Sequence, residues 1–213
     1  MTRKVSAKLK YAAPSEASAL GVDLLSLSAH KLGGPAGIGA LWVRRGVELA
    51  AQTTGGPQER GRRAGTENVA AIVGFGVAAA RARAALAANA SAAARLVERL
   101  WTGLRTRVPG VVLNGPADGP RLPNTLNVSF PGAAGESLLV LLDLAGVAVS
   151  LGSACAAGAA EPSHVLLAMG RDREAARSGI RFSVGPSTTA ADIDRVLELL
   201  PALVAQARGE AAA

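Results

Sequence analysis

The sequence predicts an α/β fold, because short apolar segments typical of strands alternate with helical segments to the end of the chain. The 213 residues are 49% hydrophobic, which is enough to bury a substantial core. Aromatic residues make up only 3% of the chain, so the core must consist mainly of Leu, Val, Ile and Ala.

Four regular elements are predicted in the first half of the chain: a strand at 22–27, a strand at 38–43, a helix at 66–83 and a helix at 84–107. The two strands are joined by the Gly-rich segment 32–37. Thr66 is predicted to be the N-cap of the first helix. Leu96, Leu100 and Leu104 share one face of the second helix, so this face is expected to pack on the core.

Seven elements are predicted in the second half: strands at 111–113, 125–130, 147–150 and 180–184, and helices at 136–144, 162–169 and from 190 onward. Gly170 is predicted to close the short helix that precedes it. Thr189 is the predicted N-cap of the last helix, with Asp192 as the partner in a capping box.

The formal net charge of +7 raises the question of a nucleic-acid partner. The Arg residues that supply most of the positive charge are scattered, and few aromatic side chains are present to stack on bases. The composition therefore disfavours nucleic acid. An acidic small-molecule ligand or a solvated basic surface explains the charge more simply.

Cys155 is the only cysteine, so the chain has no intrachain disulfide. Residues 1–10 are basic but lack the apolar stretch of a signal peptide. No segment has the roughly 18 to 20 uninterrupted apolar residues of a membrane span. We therefore expect a protein of the reducing cytoplasm with no membrane partner.

Lys31 lies at the end of a predicted buried strand and is followed closely by Gly33 and Gly34. A desolvated lysine amine can form a Schiff base with an aldehyde cofactor. Ser28 and His30, with the glycine amides, suit the oxygens of a phosphate group. The residues alone favour a plainer interpretation, in which a basic residue opens a tight surface loop.

The segment 55–68 is rich in Gly and Arg and leads into the predicted helix cap at Thr66. A helix N-terminus offers free amides and a favourable dipole to an anion, so the segment suits a phosphate. It suits a solvated basic loop equally well.

Cys155 lies between glycines in a run of small residues. Such a loop can be mobile and exposed, which suits a nucleophile that must move between reaction partners. The alternative is a buried and inert residue, as most lone cysteines are. Arg181 interrupts an otherwise apolar strand, where its planar guanidinium suits a carboxylate. A structural salt bridge is the alternative for Arg181.

Taken together, these segments resemble the cysteine desulfurases, a branch of the class V aminotransferase-like fold. Five strings carry the resemblance, in the family's order and spacing: VDLLSLSAHKLGGPAGIGALWVRRG, GGPQERGRRAGTENVAAIVGFG, NTLNVSFPG, GSACAAGAAEPSHVLLAMG and IRFSVGPSTTAADID. They extend from about residue 20 to about residue 200, which is nearly the whole chain.

The resemblance implies an α/β fold of the PLP-dependent transferase type (aspartate aminotransferase-like, fold type I), present here in truncated form. It divides the chain into a divergent N-terminal segment (1–20), part of the PLP-binding large domain (21–85) and the small C-terminal domain (86–213). It also implies a homodimer.

The resemblance implies pyridoxal 5'-phosphate (PLP) as the cofactor and no metal. Lys31 matches the lysine that holds PLP, and Ser28 and His30 match ligands of its phosphate. Thr66 matches a threonine that reaches the phosphate across the dimer interface.

The reaction that the resemblance implies is the conversion of L-cysteine to L-alanine. Cys155 matches the catalytic cysteine that receives the sulfur as a persulfide, and Lys31 would also be catalytic, as the base. Arg181 matches the arginine that binds the substrate carboxylate, while Asn127 is given no role beyond shaping the site. The sulfur acceptor would be an iron–sulfur scaffold protein, and a relative that acts on selenocysteine fits the same residues.

The sequence departs from the family most strongly near its N-terminus. An Asp that pairs with the PLP ring nitrogen and a nearby Gln are expected where residues 3–11 stand, and neither is present. Leu151 and Ala157 are smaller departures, because polar residues are usual there. We therefore also expect that the chain alone is an inactive remnant, or half of a split enzyme, that folds or dimerises without binding PLP.

Overall fold

The computed structural model describes residues 4–6, 20–116, 118–151 and 162–209, and for residues 4–6 it describes the backbone alone. The chain divides into two compact units, Met1–Ala88 and Asn89–Ala213. The assignment of residues 21–85 to a large PLP-binding domain and of 86–213 to a small domain stays a prediction.

The first unit contains a three-stranded sheet in the order β1-β2-β3. Strand β1 (Lys4–Ser6) runs parallel to β2 (Leu24–Ser28), and β3 (Gly39–Val43) runs antiparallel to β2. The predictions at 22–27 and 38–43 identified β2 and β3, whereas β1 lies in the N-terminal segment for which no strand was predicted.

Gly39 lies opposite Ser28 in the pairing of β2 with β3. A Cβ atom at this position would come within 2.6 Å of the backbone oxygen of Leu27. Because the obstacle is backbone and cannot rotate away, only glycine lets the two strands pair at this point.

Helix α1 (Val69–Arg107) is one continuous helix of 39 residues, so the predicted break between residues 83 and 84 is wrong. The chain has neither Gly nor Pro from residue 77 to residue 102 and is rich in Ala, so nothing ends the helix there. Thr66 is not the N-cap. Asn68 takes this place, since its Oδ1 accepts a hydrogen bond from the backbone N–H of Ala71 at 3.1 Å.

By length and composition α1 would also suffice to cross a membrane, with a mean hydropathy of 1.6 over its most apolar 18 residues. This is weak evidence, because a single apolar helix is also found in proteins that have no membrane span. Arg81 and Arg83 interrupt its apolar run, so the sequence-based expectation, which concerned uninterrupted apolar segments, is not contradicted.

The second unit contains an antiparallel sheet in the order β4-β5-β6. Its remaining elements, in chain order, are β4 (Val112–Leu113), β5 (Thr125–Ser129), α2 (Gly135–Leu144), α3 (His164–Ala168), α4 (Arg173–Arg177), β6 (Gly179–Ser183) and α5 (Ala190–Arg208). The sequence predicts the bounds of each of these elements to within a few residues, except for α4, which was not predicted. The predicted strand at 147–150 is reduced to a single bridge between Ser150 and Arg181.

Alternating residues of β5 and β6 form part of the core of the second unit. Leu126, Val128, Ile180 and Phe182 are at most 5% exposed. Gly103 of α1 is close-packed as well, because a Cβ there would clash with the side chain of Leu197. The remaining buried aliphatic residues of this unit include Leu100, Leu104, Leu138, Leu142 and Leu200.

Helix α5 begins with the capping box that the sequence predicts. The Thr189 hydroxyl accepts from the backbone N–H of Asp192 at 3.2 Å, and the Asp192 carboxylate accepts from the Thr189 N–H at 2.7 Å. These two bonds satisfy donors at the helix N-terminus that have no partner inside the helix.

The replacement Gly39→Ala is expected to lower the free energy of unfolding by about 1–3 kcal/mol, because the backbone must shift to admit the methyl group. Gly76→Ala is the matched control, because Gly76 lies within α1 and a Cβ there has nothing within 4 Å. This control should raise stability by up to about 1 kcal/mol, the helix preference of Ala over Gly. Urea titrations followed by circular dichroism measure the free energy of unfolding of both variants. A change of the same sign in Gly39→Ala and Gly76→Ala would contradict the packing argument.

The pKa of the Asp192 carboxyl lies below its usual 3.8, chiefly because it accepts the backbone hydrogen bond from Thr189 and also one from the Thr189 hydroxyl. The stabilisation by this carboxylate is therefore present above pH 3.8 and is lost as the pH falls through the lower value of the folded state. In thermal unfolding experiments, the stability difference between the wild type and Asp192→Asn should shrink as the pH is lowered from 3.8 through the pKa of the folded state. Ser187→Ala, an exposed change that does not titrate, should show a constant difference.

Candidate functional site

Lys31 belongs to a short 3-10 helix, Ala29–Leu32, that directly follows the C-terminal end of β2. Ala29 is fully buried, and its N–H donates to the Ile38 carbonyl at 3.0 Å. This anchor fixes the start of the turn in the first unit. The side chains of His30 and Lys31 are both exposed.

The exposure of Lys31 agrees with the plainer interpretation, a basic residue that opens a tight surface loop, and differs from the desolvated position that the Schiff-base interpretation assumes. Within β2 only Leu24 and Leu25 are buried, and the chain leaves the sheet before Lys31 is reached. A 3-10 turn directs successive side chains to different sides, so the buried Ala29 is compatible with an exposed Lys31. No hydrogen bond or ion pair joins the Lys31 amine to another described residue, and a ligand can reach it.

Gly33 and Gly34 close the turn in different ways. Gly33 adopts the left-handed conformation, with φ of 82°, that glycine accommodates without strain. A Cβ on Gly34 would lie 3.0 Å from the Cβ of Ala78 and 3.2 Å from that of Ala29, so this glycine permits close approach of α1. The Gly34 N–H donates to the Ala29 carbonyl at 2.9 Å.

Ser28 is the last residue of β2, and its side chain is half-buried. Its hydroxyl makes no hydrogen bond to any other part of the chain that the structure describes. Ser28 and His30 therefore lie within three residues of Lys31 on one turn with polar atoms available to an anion. The structure confirms this local clustering but does not test the roles that the resemblance gives them.

The segment before Thr66 is folded back on itself. The Gln58 side chain accepts from the backbone N–H of Gly65 at 3.2 Å, and a 3-10 helix spans Gln58–Gly61. Inside it, Glu59 and Arg60 have φ of 50° and 59°, a region that non-glycine residues rarely adopt. Thr66 is exposed and two residues before the cap of α1, so the helix N-terminus does not explain an anion site there.

Arg181 lies at the middle of β6, where its backbone pairs with Asn127 of β5 on one side and Ser150 on the other. Its side chain is half-buried, although its neighbours Ile180 and Phe182 are buried. The guanidinium forms no ion pair or hydrogen bond within the described part of the chain. The salt bridge that was the alternative for Arg181 is therefore absent among these residues, and with respect to them the guanidinium is available to a carboxylate.

Cys155 lies outside the described residues, within the gap at 152–161. Its predicted role as a nucleophile stays a prediction. Among the described residues, no group of three or more His, Cys, Asp or Glu side chains is placed to hold a metal ion.

The described residues around Lys31 fit PLP. A lysine amine without a partner can bind an aldehyde, and the adjacent serine hydroxyl and imidazole can bind a phosphate. The partner for the cofactor's ring nitrogen is not among these residues.

Comparison with known proteins agrees with this fit. The aminotransferase class-V family model matches residues 8–196. A cysteine desulfurase of Cereibacter sphaeroides is 53% identical over 88% of this chain and 47% of its own length. A cysteine desulfurase IscS of Clostridium botulinum is 47% identical over 89% of this chain and 48% of its own length. The X-ray structure of a NifS-like protein from Rickettsia africae aligns with a TM-score of 0.79 at 34% identity, covering 89% of this chain and 49% of that one.

The fold and the lysine turn thus define a protein of the PLP-dependent transferase type. The chain belongs to the aminotransferase class-V family. The two relatives described above are named as cysteine desulfurases, and the aligned structure is that of a NifS-like protein. It spans about half the length of the curated relatives it matches.

Proposed function

We propose that the chain carries the lysine, the cysteine and the arginine of a PLP-dependent cysteine desulfurase that converts L-cysteine to L-alanine. The observation that carries this proposal is the exposed Lys31 on an anchored turn directly after β2, with no partner for its amine among the described residues. The turn lies in a chain about 50% identical to proteins named cysteine desulfurases. Sulfur would be transferred to Cys155 as a persulfide and would supply iron–sulfur cluster assembly.

Four residues would bind the cofactor or act on the α-proton in this reaction: Lys31, Ser28, His30 and Thr66. Lys31 would hold the cofactor through its amine and, once released by the substrate, would remove the α-proton. Ser28 and His30 would bind the phosphate, and Thr66 would do so across a homodimer interface. PLP supplies an electron sink that makes the substrate sulfur electrophilic.

Cys155 and Arg181 would act on the substrate itself. Arg181 would bind the carboxylate with its two-pronged guanidinium. The Cys155 thiolate would attack the substrate sulfur, so that a sulfur–sulfur bond forms as the carbon–sulfur bond breaks. The electron pair of the broken bond would stay with the carbon skeleton, which would take up a proton at Cβ, regain one at Cα and leave as alanine.

The acceptor of the persulfide sulfur would be an iron–sulfur scaffold protein in the cytoplasm. This part follows from the resemblance carried by the sequence motifs, because the names of the IscS and NifS relatives give the desulfurase reaction alone. Selenocysteine is the alternative substrate, and comparison of kcat/KM for the two amino acids distinguishes them.

Lys31→Ala is expected to abolish covalent binding of PLP, because no other described residue of this turn has an amine. Borohydride reduction of the chain incubated with PLP, followed by peptide mass mapping, should place the label on Lys31. The peptides with Lys4, Lys8 and Lys10 serve as internal controls and should stay unlabelled. Equal labelling of all four lysines would contradict a dedicated site.

Cys155→Ser is expected to keep cofactor binding and to reduce alanine formation by more than about a hundredfold, because the nucleophile is lost. Alanine release and persulfide formation on the protein measure the two halves of the transfer. Ser153→Ala, two residues away, is the matched control and should release alanine at the wild-type rate. Full activity of the Cys155 variant would rule out sulfur transfer through this residue.

A second candidate is that the chain alone folds or dimerises without binding PLP, as a remnant or as half of a split enzyme. An exposed apolar face on α1 favours it. Val69, Val73 and Val77 follow one another at helical spacing and are 65%, 60% and 54% exposed, with Ile72 beside them at 42%. Absence of PLP labelling in a folded, purified chain would support this candidate over the first.

A further inference from the structure

We propose that Asn127 is a second donor to the substrate carboxylate beside Arg181, and that Ser129 and Asn114 fix its amide in the orientation required. This inference rests on the proposed function, since it assumes that Arg181 binds a carboxylate. It concerns residues of the second unit alone.

Asn127 and Arg181 lie directly opposite each other in the antiparallel pairing of β5 with β6. Side chains alternate across a strand, and Leu126 and Val128 of β5 face the core. Asn127 and Arg181 therefore share the other face of the sheet. The Cβ atoms of such opposite residues lie about 4.5–5.5 Å apart, within reach of one carboxylate.

Both side chains offer hydrogen-bond donors without a partner among the described residues. Asn127 and Arg181 are each half-buried. Among the described residues, one hydrogen bond involves the Asn127 side chain, and it is accepted by Oδ1, so no described group uses the Nδ2 hydrogens. Two adjacent donor groups with no acceptor between them form a site for an anion.

A directional chain of hydrogen bonds determines which atom of the Asn127 amide is available. The Ser129 Oγ lies 2.6 Å from the carbonyl oxygen of Ala175. Two oxygens approach this closely only with a hydrogen between them, and a carbonyl has none to give. The single hydroxyl hydrogen of Ser129 is therefore donated to Ala175.

Ser129 Oγ can then only accept from Asn114, which lies 2.7 Å away and must present its Nδ2. The second hydrogen of the same Nδ2 is donated to Asn127 Oδ1 at 2.8 Å. Asn127 is left with its oxygen toward Asn114 and its Nδ2 turned away. The buried Asn114 Oδ1 has no partner among the described groups, so the orientation follows from the bonds to Ser129 and Ala175 and not from this atom.

The opposite orientation of the two amides conflicts with the same distances. It would place Asn114 Oδ1 against Ser129 Oγ, whose hydrogen is already committed to Ala175. Ser129 and Asn114 are 0% and 7% exposed, so water does not readily relieve this conflict. Ser129 and Asn114 thus act as positioning residues, and Asn127 contacts the substrate.

Paired donors of this kind recognise the carboxylate and leave the thiol and amine ends of the substrate to other groups. The site should therefore discriminate L-cysteine from cysteamine, which has the same thiol and amine but no carboxylate. Loss of one hydrogen bond to a charged group weakens binding by about tenfold or more.

The test uses the holoenzyme with L-cysteine as substrate and cysteamine as a competing ligand. Asn127→Ala is expected to raise KM for L-cysteine about tenfold with little change in kcat, and to leave the inhibition constant of cysteamine unchanged. Asn127→Asp keeps the acceptor for Asn114 but replaces the outward donor by a negative charge, so its KM should rise further. Thr125→Val, two residues along on the same face of β5, is the matched control and should behave as the wild type.

The positioning chain has its own test. Ser129→Ala should raise KM by a smaller factor than Asn127→Ala, because the Asn127 amide becomes free to turn. The double variant should have the KM of Asn127→Ala alone, since an orientation no longer matters once the amide is absent. If the KM of the double variant rises by the product of the factors found for Ser129→Ala and Asn127→Ala, the positioning role of Ser129 is wrong.

The outcomes separate this inference from the proposed function. If Arg181→Ala raises KM for L-cysteine and Asn127→Ala and Asn127→Asp do not, the role of Asn127 is wrong and the function stands. If KM and the cysteamine constant rise together in Asn127→Ala, the residue acts on the whole site and not on the carboxylate. If the holoenzyme has no activity on L-cysteine, the proposed function itself is wrong.

Discussion

The pairing of β5 with β6 is the constraint on which the second unit depends. Its register places Leu126 opposite Phe182 and Val128 opposite Ile180 on the buried face. The same register necessarily brings Asn127 opposite Arg181 on the other face. A slip of one residue would bury the guanidinium and expose the core, so the packing of four apolar side chains also fixes the polar pair. Core stability and the geometry of the candidate carboxylate site are therefore consequences of a single interaction.

Local patterns in the sequence were enough to predict much of this arrangement. Alternation of apolar and polar residues predicts β5 and β6, and the spacing of Thr189 and Asp192 predicts the capping box at the start of α5. Each of these signals depends on residues close together in the chain. The break predicted within α1 was wrong because a change in composition is not a helix stop: without Gly or Pro, an Ala-rich segment continues as a helix.

Features that depend on distant residues could not be predicted in the same way. Strand β1 exists through its pairing with β2, some twenty residues later, and its own three residues carry no strand signal. The residues of the candidate site were found through family motifs, not through periodicity. The orientation of Asn127 depends on Asn114 and on a backbone carbonyl of α4, which no pattern near Asn127 reveals.

The two candidate binding regions differ in how their side chains are held. The turn with Lys31 has a fixed backbone, through buried Ala29 and the close packing of Gly34, but leaves the lysine side chain without a partner in the part of the chain that the structure describes. This suits a residue that must first bind a cofactor and then move a proton. Asn127, by contrast, is held by directed hydrogen bonds and suits a residue that only binds. Under the proposed function, cysteine and selenocysteine would present the same carboxylate to Asn127 and Arg181, so these two residues would not distinguish them. Any preference between the two amino acids would then arise where the sulfur or selenium atom binds and not at the sheet.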